Sequence, residues 1–441
     1  MKIEEAIGKA PATPAGRQAG WMLARIHRRG EGASAEDWAR YVPALAETVG
    51  RGGEAEEGWR SLAERLGAIR AVAFASTSDV EIEAAVETGV DRRWKLTVAV
   101  EEAAPHRITR LEWQRLRDFS LEVREATDAD AAILADLERR APIVREGTKI
   151  WFDRGEAWFD FSRLMEEHTV GIAFVDGEAA AVTCGARHTV RIGGADKSIV
   201  TVSHLRVAPE HQRKGLWGEV NTVLGKYWPK VDGSNAYIAV DNAAMQHGFR
   251  STPNKWPGPL LWARLDTAAL AGPACGRRAT AADAGAVAAL INAFREGEEM
   301  YVPWTAESLA RRMARASELY SWERLWLAPG AVVGVWPAGR ALRLVTERDG
   351  TRSVSEPGVV LDYGFAPGAE GAFEDLVRAW CGWLAERGMD RLSIFTSPAS
   401  RGAALIGSLA GELEAFDMWT PGIAVPADAA DKGLYLDPVY F

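Results

Sequence analysis

Between residues 204 and 218 the chain collects groups suited to one kind of chemistry, holding a polyanion next to a reacting carbonyl. Gln212-Arg213-Lys214-Gly215-Leu216-Trp217-Gly218 sets two cations and two glycines among successive backbone N–H groups. At the start of a helix such a turn gathers orphan donors and the positive dipole end, and the two together attract phosphate. Gly215 allows close backbone approach, while Arg213 and Lys214 supply charged donors for a pyrophosphate. The bland alternative is a basic surface turn with a tight-turn glycine. His204, just upstream, is the ionisable group best placed to take a proton, its alternative being a hydrogen-bonded core histidine. Glu210 and His211 read as helix-capping or solvent-facing residues of the turn.

The elements around these residues must position them. Ser198–Val207 is rich in β-branched residues and bounded by Asp196 and Pro209, which predicts a strand. Leu216, Val220, Val223, Leu224 and Tyr227 recur at helical spacing, which predicts a helix from Leu216 to Tyr227. Upstream, a hairpin over 169–187 turns at Asp176-Gly177, and a second turn at Gly193-Gly194 leads into the central strand. Downstream, Ala236–Val240 reads as a strand entering a helix near Asn242, which runs to Phe249. The segment 149–168 is rich in aromatics.

Gln212, Gly215 and the preceding Val207-Ala208-Pro209 resemble the signature of the GNAT acyltransferase superfamily, Arg/Gln-x-x-Gly-x-Gly/Ala after a strand. Trp217 stands where that signature has Gly or Ala. The resemblance implies an α/β (α+β) fold that binds acetyl-CoA or another acyl-CoA as co-substrate. It implies a diphosphate site at Gln212, Arg213, Lys214, Gly215, Leu216, Trp217 and Gly218, and a carbonyl polarised by a backbone N–H between Leu205 and Val207. Asn242 matches an Asn that follows the next strand of the family, and Phe249 replaces the Tyr that often protonates the leaving thiolate. Thr201 occupies the place of a base Glu, which leaves His204 as the candidate base. The aromatic segment 149–168 takes the place of the helices that wall the acceptor.

The opening of this unit recurs. Leu121–Asp130 is a strand leading through Thr127-x-x-Asp130 into a helix over 129–140, and Arg277–Phe294 repeats it with Thr280 and Asp283. A hairpin-like Gly330–Thr346 and a strand Val359–Tyr363 follow. Where a second anion turn falls, residues 365–375 carry glycines beside Glu370, Glu374 and Asp375 and no cation. This predicts tandem GNAT folds over 119–268 and 275–441, the second degenerate, with one CoA bound per chain in the first.

Residues 1–118 read as a separate unit. Thr13-Pro14 caps a helix to His27, helical stretches follow at Ala35–Val49 and Glu54–Leu66, and strand-like runs begin at Ile69, Val80, Arg93 and Pro105. Helices followed by an antiparallel meander resemble the cystatin-like cone of the nuclear-transport-factor-like superfamily. That resemblance implies a structural role or a homodimer contact. His27 and His106 have no partner identifiable from spacing.

Composition bounds the reading. With 441 residues, 47% apolar and 26% charged, the chain suits several globular domains. No apolar run reaches a membrane span and the N-terminus lacks a signal-peptide core, so a cytoplasmic protein is expected. Three distant cysteines, Cys184, Cys275 and Cys381, exclude a disulfide framework and a cysteine-rich metal site. A net charge of −9 argues against nucleic acid as partner. The function expected is acyl-CoA-dependent N-acylation of a small-molecule amine. The alternatives are a GNAT-fold binding protein without turnover and a transferase using aminoacyl-tRNA. The aromatic C-terminus, Gly433–Phe441, is expected to dock on the fold, and in tandem relatives a terminal carboxylate, here that of Phe441, can serve as base.

Overall fold

The structure is a computed structural model that describes residues 3–28, 39–41, 63, 66, 68–88, 92–249 and 254–440. The helices expected over 35–49 and 54–66 fall largely outside the described residues, as does Phe441. Two compact units divide the chain, residues 1–120 and 121–441.

The first unit holds helices α1 (Ile3–Ile7) and α2 (Pro14–His27) and strands β1 (Ile69–Ser76), β2 (Glu81–Thr88), β3 (Arg92–Val100) and β4 (Ile108–Leu116). Thr13 caps α2 by accepting from Gly16 N at 3.1 Å, with Pro14 at the first helical position. The strands form an antiparallel meander in sequence order. On β2 the residues Ile82, Ala84 and Val86 are buried and alternate with Glu81, Glu83 and Ala85, so one sheet face packs on Met22, Leu23 and Ile26 of α2.

The second unit begins with β5 (Leu121–Glu125), α3 (Ala131–Arg140), β6 (Ile143–Arg145), β7 (Thr148–Phe152), β8 (Glu167–Val175), β9 (Glu178–Ile192) and β10 (Ala195–Val207). It continues through α4 (Leu216–Val220), β11 (Gly233–Ala239), α5 (Ala243–Phe249) and β12 (Leu260–Asp266). Its later part holds β13 (Arg277–Arg278), α6 (Ala284–Arg295), β14 (Glu298–Glu299), β15 (Leu325–Ala328), β16 (Ala331–Trp336), β17 (Leu344–Arg348), β18 (Thr351–Ser355) and β19 (Pro357–Phe365). Helix α7 (Glu370–Ala385), β20 (Arg391–Thr396), β21 (Glu412–Trp419) and β22 (Gly433–Leu434) follow, and further helices at Asp160–Arg163, Thr267–Leu270, Ala306–Arg315 and Ala403–Leu409 join the strands.

Twelve of these strands form one sheet in the order β13-β15-β16-β19-β20-β12-β21-β11-β10-β9-β8-β5. Each half contributes one parallel pair, β10·β11 and β19·β20, among antiparallel neighbours. At the centre the halves exchange their last strands. β12 pairs with β20, β21 pairs with β11, and β12 and β21 pair with each other. Neither run of strands completes its own edge without the other.

The repeated opening is identical in its chemistry. Arg124 grips Asp130 through bonds of 2.9 and 2.7 Å, while Thr127 N donates to the same carboxylate at 2.8 Å. Arg277, Asp283 and Thr280 repeat this at 2.9, 2.5 and 2.8 Å. The guanidinium of Arg124 holds the Asp130 carboxyl down at about 2.

Three local expectations change. The segment Leu216–Tyr227 is a helix only to Val220 and continues as 3-10 turns over Asn221–Lys226, since Gly218 and Gly225 weaken the longer helix. Thr148–Phe152 is a strand rather than part of a helix. The hairpin expected over 330–346 is instead β15·β16, broken after Trp336 at Pro337-Ala338-Gly339, and β17 leaves it for a small sheet ordered β18-β17-β7-β6. The C-terminal segment docks as expected, with Leu434, Tyr435, Leu436, Val439 and Tyr440 buried and β22 paired to β14.

Candidate active site

The site follows from a failure of pairing in β10. Its parallel register with β11 runs from Ile199↔Gly233 to Val202↔Ala236 and stops there, so the two strands splay. Against β9 the register shifts between Ser203↔Cys184 and Arg206↔Val182, which leaves His204 and Leu205 opposite Thr183 alone. This β-bulge places the N–H groups of His204 and Leu205 outside both registers. His204 adopts φ +54°, a conformation that costs a non-glycine residue about 1–2 kcal/mol and marks a site held by its surroundings.

A cavity of about 690 Å³ opens in the splay, a size that suits a small-molecule ligand. Residues 202–206 line one side and 236–239 the other, and Trp262, Phe395 and Phe416 extend the wall into the second half. His204 lies on this wall with its ring stacked on Phe161 at 4.1 Å and Nδ1 2.9 Å from Ser203 Oγ. Burial holds its imidazole well below the ordinary histidine value, and the guanidiniums of Arg154 and Arg206 push the same way. The ring is therefore neutral throughout the physiological range.

Two arginines and a glutamate sit behind His204. Arg154 is 2% exposed and its guanidinium lies 3.6 Å from Glu138, which is 1% exposed. Phe152 and Phe161 each place a ring 4.6 Å from Arg154 Cζ. None of the three Arg154 nitrogens has a hydrogen-bond partner, and Glu138 meets Arg154 without one. Arg206 lines the cavity beside them. Burial pushes the Glu138 carboxyl up and both guanidiniums down, opposed in each case by the attraction between them.

Across three strands runs a chain of polar groups that spacing alone does not reveal. His188 Nε2 lies 2.7 Å from Thr201 Oγ1, Thr201 donates to Asn235 Oδ1 at 2.7 Å, and Asn235 Nδ2 donates to Tyr237 Oη at 3.0 Å. The donor direction makes His188 the Nε2–H tautomer and sets the Tyr237 phenol, on the cavity wall, to act as a donor. Thr201, the position of a base Glu in the resemblance, thus positions a tyrosine. Asn235 and Tyr237 were not among the residues expected at the site. His188 also stacks on Tyr440 at 3.7 Å.

Burial drives the His188 imidazole down to about 3. The unfolded chain, with the ordinary value of about 6.5, binds the proton first, so His188 lowers stability progressively as pH falls below 6.5. Between pH 6.5 and 5 the loss is about 2 kcal/mol from the linkage slope. Denaturant titrations at the two pH values check this. His188→Gln should show a correspondingly smaller loss, and an equal loss in both proteins would contradict the assignment.

The anion turn follows the C-terminal end of the bulged strand, a few residues beyond the bulge. Gln212 and Arg213 are exposed, Arg213 at φ +64° and Gly215 at φ +73°. Lys214 is half-buried with Nζ 3.0 Å from His211 Nδ1. Because α4 is only one turn long, the grip here comes from backbone N–H groups and the two cations more than from a helix dipole. His211 is buried, so the solvent-facing alternative expected for it does not hold, and Glu210 pairs with Arg140 at 2.7 Å.

Of the residues expected to bind CoA, Leu205, Trp217 and Asn242 meet His204 on the cavity wall, while 212–216 and Gly218 do not line it. Leu216 is buried in its side chain and Gly218 is exposed. Val207 pairs with Ala181 inside the ladder, which takes it out of the bulge. Trp217 turns away from the anion turn and packs on Phe249 at 5.2 Å, which in turn meets Trp419 at 5.9 Å. The two departures from the GNAT pattern, Trp217 and Phe249, therefore fill one another's space. Asn242 caps α5 by accepting from Met245 N at 3.2 Å. Among the described residues no group of three potential ligands could hold a metal ion.

No family model and no curated protein matches the sequence. Solved structures do match in shape. Saccharomyces cerevisiae N-myristoyltransferase with bound myristoyl-CoA superposes with a TM-score of 0.51 at 12% identity, covering 70% of this chain and 85% of that one. A second structure of that enzyme with myristoyl-CoA gives 0.51 and 12% over 74% of this chain and 82% of that one. A GCN5-related N-acetyltransferase from Kribbella flavida matches over 68% of this chain with a TM-score of 0.38 and 14% identity. The chain thus has the mixed α/β fold of N-myristoyltransferase.

Proposed function

We propose that the chain is an acyl-CoA-dependent N-acyltransferase whose acceptor is the amine of a small molecule. The observation that carries this reading is the bulged, splayed β10 with a ligand-sized cavity at the bulge and a cationic, glycine-containing turn at its end. The shared fold of an enzyme solved with myristoyl-CoA supports it.

In this reading the backbone N–H groups of 212–215, with Arg213 and Lys214, hold the diphosphate of CoA. The N–H groups of His204 and Leu205 stabilise the oxyanion that develops on the thioester carbonyl; one such donor is worth about 2.7–4 kcal/mol. An aliphatic amine is mostly protonated at pH 7, so an acceptor for its proton is needed. The acceptor amine gives up its ammonium proton to solvent and attacks in the neutral form; as the C–N bond forms the nitrogen becomes acidic enough for a weak base, and neutral His204 takes that second proton. Tyr237 delivers a proton to the departing thiolate in place of the tyrosine missing at 249.

His204→Asn is the informative variant, because Asn tolerates the left-handed backbone at this position and lacks a basic nitrogen. Turnover should fall by about 10²-fold, the scale of lost general-base help, with folding unchanged. Turnover within a few-fold of the parent would remove His204 from the chemistry. The competing reading, a protein that binds CoA without turnover, is separated by thiol release from acetyl- through myristoyl-CoA in the presence of an amine panel.

A further inference from the structure

The whole protein carries a net charge of −9, yet the cavity has five arginines on its wall, Arg145, Arg154, Arg206, Arg264 and Arg391, against three carboxylates. The excess is not spread evenly. At the outer end Arg145 and Arg264 pair with Glu414, and Arg264 also reaches Glu412 at 2.5 Å. Arg391 pairs with Asp266 at 3.1 Å. At the inner end, beside His204, Arg154 and Arg206 share the single carboxylate of Glu138. A guanidinium keeps its proton even when buried. Burial also weakens the charge of Glu138, so the inner end holds at least one uncompensated positive charge away from bulk water.

The polar contacts point the same way. Arg154 is buried with three unpartnered nitrogens, and Glu138, at 3.6 Å, meets it without a hydrogen bond. Buried guanidiniums are ordinarily satisfied, and five donors in a planar fork match a carboxylate. Arg206 bonds Leu205 O through one Nη at 3.1 Å and keeps exposed area facing the cavity.

We propose that the cavity takes a ligand bearing a carboxylate, seated on Arg206 with Arg154 behind it, next to His204. This rests on the acyl-transfer reading in one respect, that the ligand is one of the two reactants. The carboxylate belongs either to the acceptor amine, as in an amino acid, or to the far end of the acyl chain. The aromatic wall formed by Trp151, Phe152 and Phe161 favours an apolar body on that ligand.

The full chain is tested with matched pairs. For the acceptor, phenylalanine is compared with phenylalaninamide using acetyl-CoA; for the donor, succinyl-CoA is compared with butyryl-CoA. The carboxylate member of one pair is expected to be preferred by 30-fold or more in kcat/KM, as loss of a charged hydrogen-bond partner implies. Binding of phenylalanine against phenylalaninamide, and of succinate against succinamide, is followed in parallel by calorimetry without CoA. Arg206→Gln should abolish the preference and Arg206→Lys retain part of it. Glu138→Gln, which removes the internal counter-charge, should tighten carboxylate binding several-fold, and it decides the matter if the Arg206 variants fail to fold. Carboxylate binding that depends on Arg206 or Glu138 without any thiol release would sustain this site and overturn the transfer reading. Transfer with no preference in either pair, or binding indifferent to Glu138, would overturn the carboxylate site.

Discussion

Gly215→Glu is expected to weaken CoA binding by about 10³-fold or more. The backbone at 215 stands at φ +73°, where any side chain costs about 1–2 kcal/mol. The new carboxylate would lie among the N–H groups and cations assigned to the diphosphate, and each lost charged contact costs about 1.5–3 kcal/mol. Two such contacts already reach about 4 kcal/mol, or three orders of magnitude, while the backbone strain weakens the fold rather than the affinity. Gly225→Glu adds the same charge outside the anion turn, at an exposed position where a Cβ meets nothing within 4 Å, and should keep affinity within a few-fold. Calorimetry of both variants gives the comparison, and equal affinities would move the diphosphate elsewhere.

The same titration reports stoichiometry, expected to be one CoA per chain. In the second half β19 also bulges and parts from β20, but the chain fills that gap itself. Tyr363 Oη donates to Phe395 O at 2.7 Å and Tyr435 Oη to Leu361 O at 2.9 Å. The following turn is served by Glu370, which accepts from Gly368 N at 3.3 Å. An internal carboxylate therefore stands where a phosphate would be needed.

Arg312→Met should destabilise the protein by about 3–5 kcal/mol, the cost of leaving a buried charge without its partner. Arg312 is 4% exposed, lies 3.2 Å from Asp362 and bonds Asp437 through both terminal nitrogens, while Tyr320 donates to Asp362 at 2.8 Å. Without the guanidinium, two carboxylates face each other in the interior. Asp437 anchors the segment that buries Val439 and Tyr440, and Val439 lines the cavity, so the site loosens with the anchor. Adding Asp362→Asn and Asp437→Asn to Arg312→Met should recover most of the loss. A drop under about 1 kcal/mol in denaturant unfolding of the single variant would show that the cluster contributes little.

Much of this frame is legible along the chain because it is local. Both φ values of the Asp176-Gly177 turn are positive, as an Asp-Gly hairpin turn requires, and the Thr-x-x-Asp steps form the same capping arrangement twice. The strand, turn and helix around Gly215 are local as well. What stayed hidden depends on partners far apart in sequence. The exchange of β12 and β21 has no local signature, since each would satisfy its edge equally well in its own half. The line from His188 to Tyr237 needs the registers of three strands at once. Arg154 and Arg206 look like surface cations until the cavity encloses them, though an arginine directly after Trp151-Phe152-Asp153 was a signal available to reading. Trp217 was legible as a departure, but its meaning required Phe249 beside it.

The decisive measurement of acyl transfer is thiol release from acyl-CoA, with and without amines and with the N-acyl product quantified by mass spectrometry. Release is expected to depend on an amine, to match product one for one, and to disappear in Gly215→Glu but not in Gly225→Glu. Tight CoA binding with no amine-dependent release across the acyl-CoA series would contradict it, leaving a binding protein in a transferase fold.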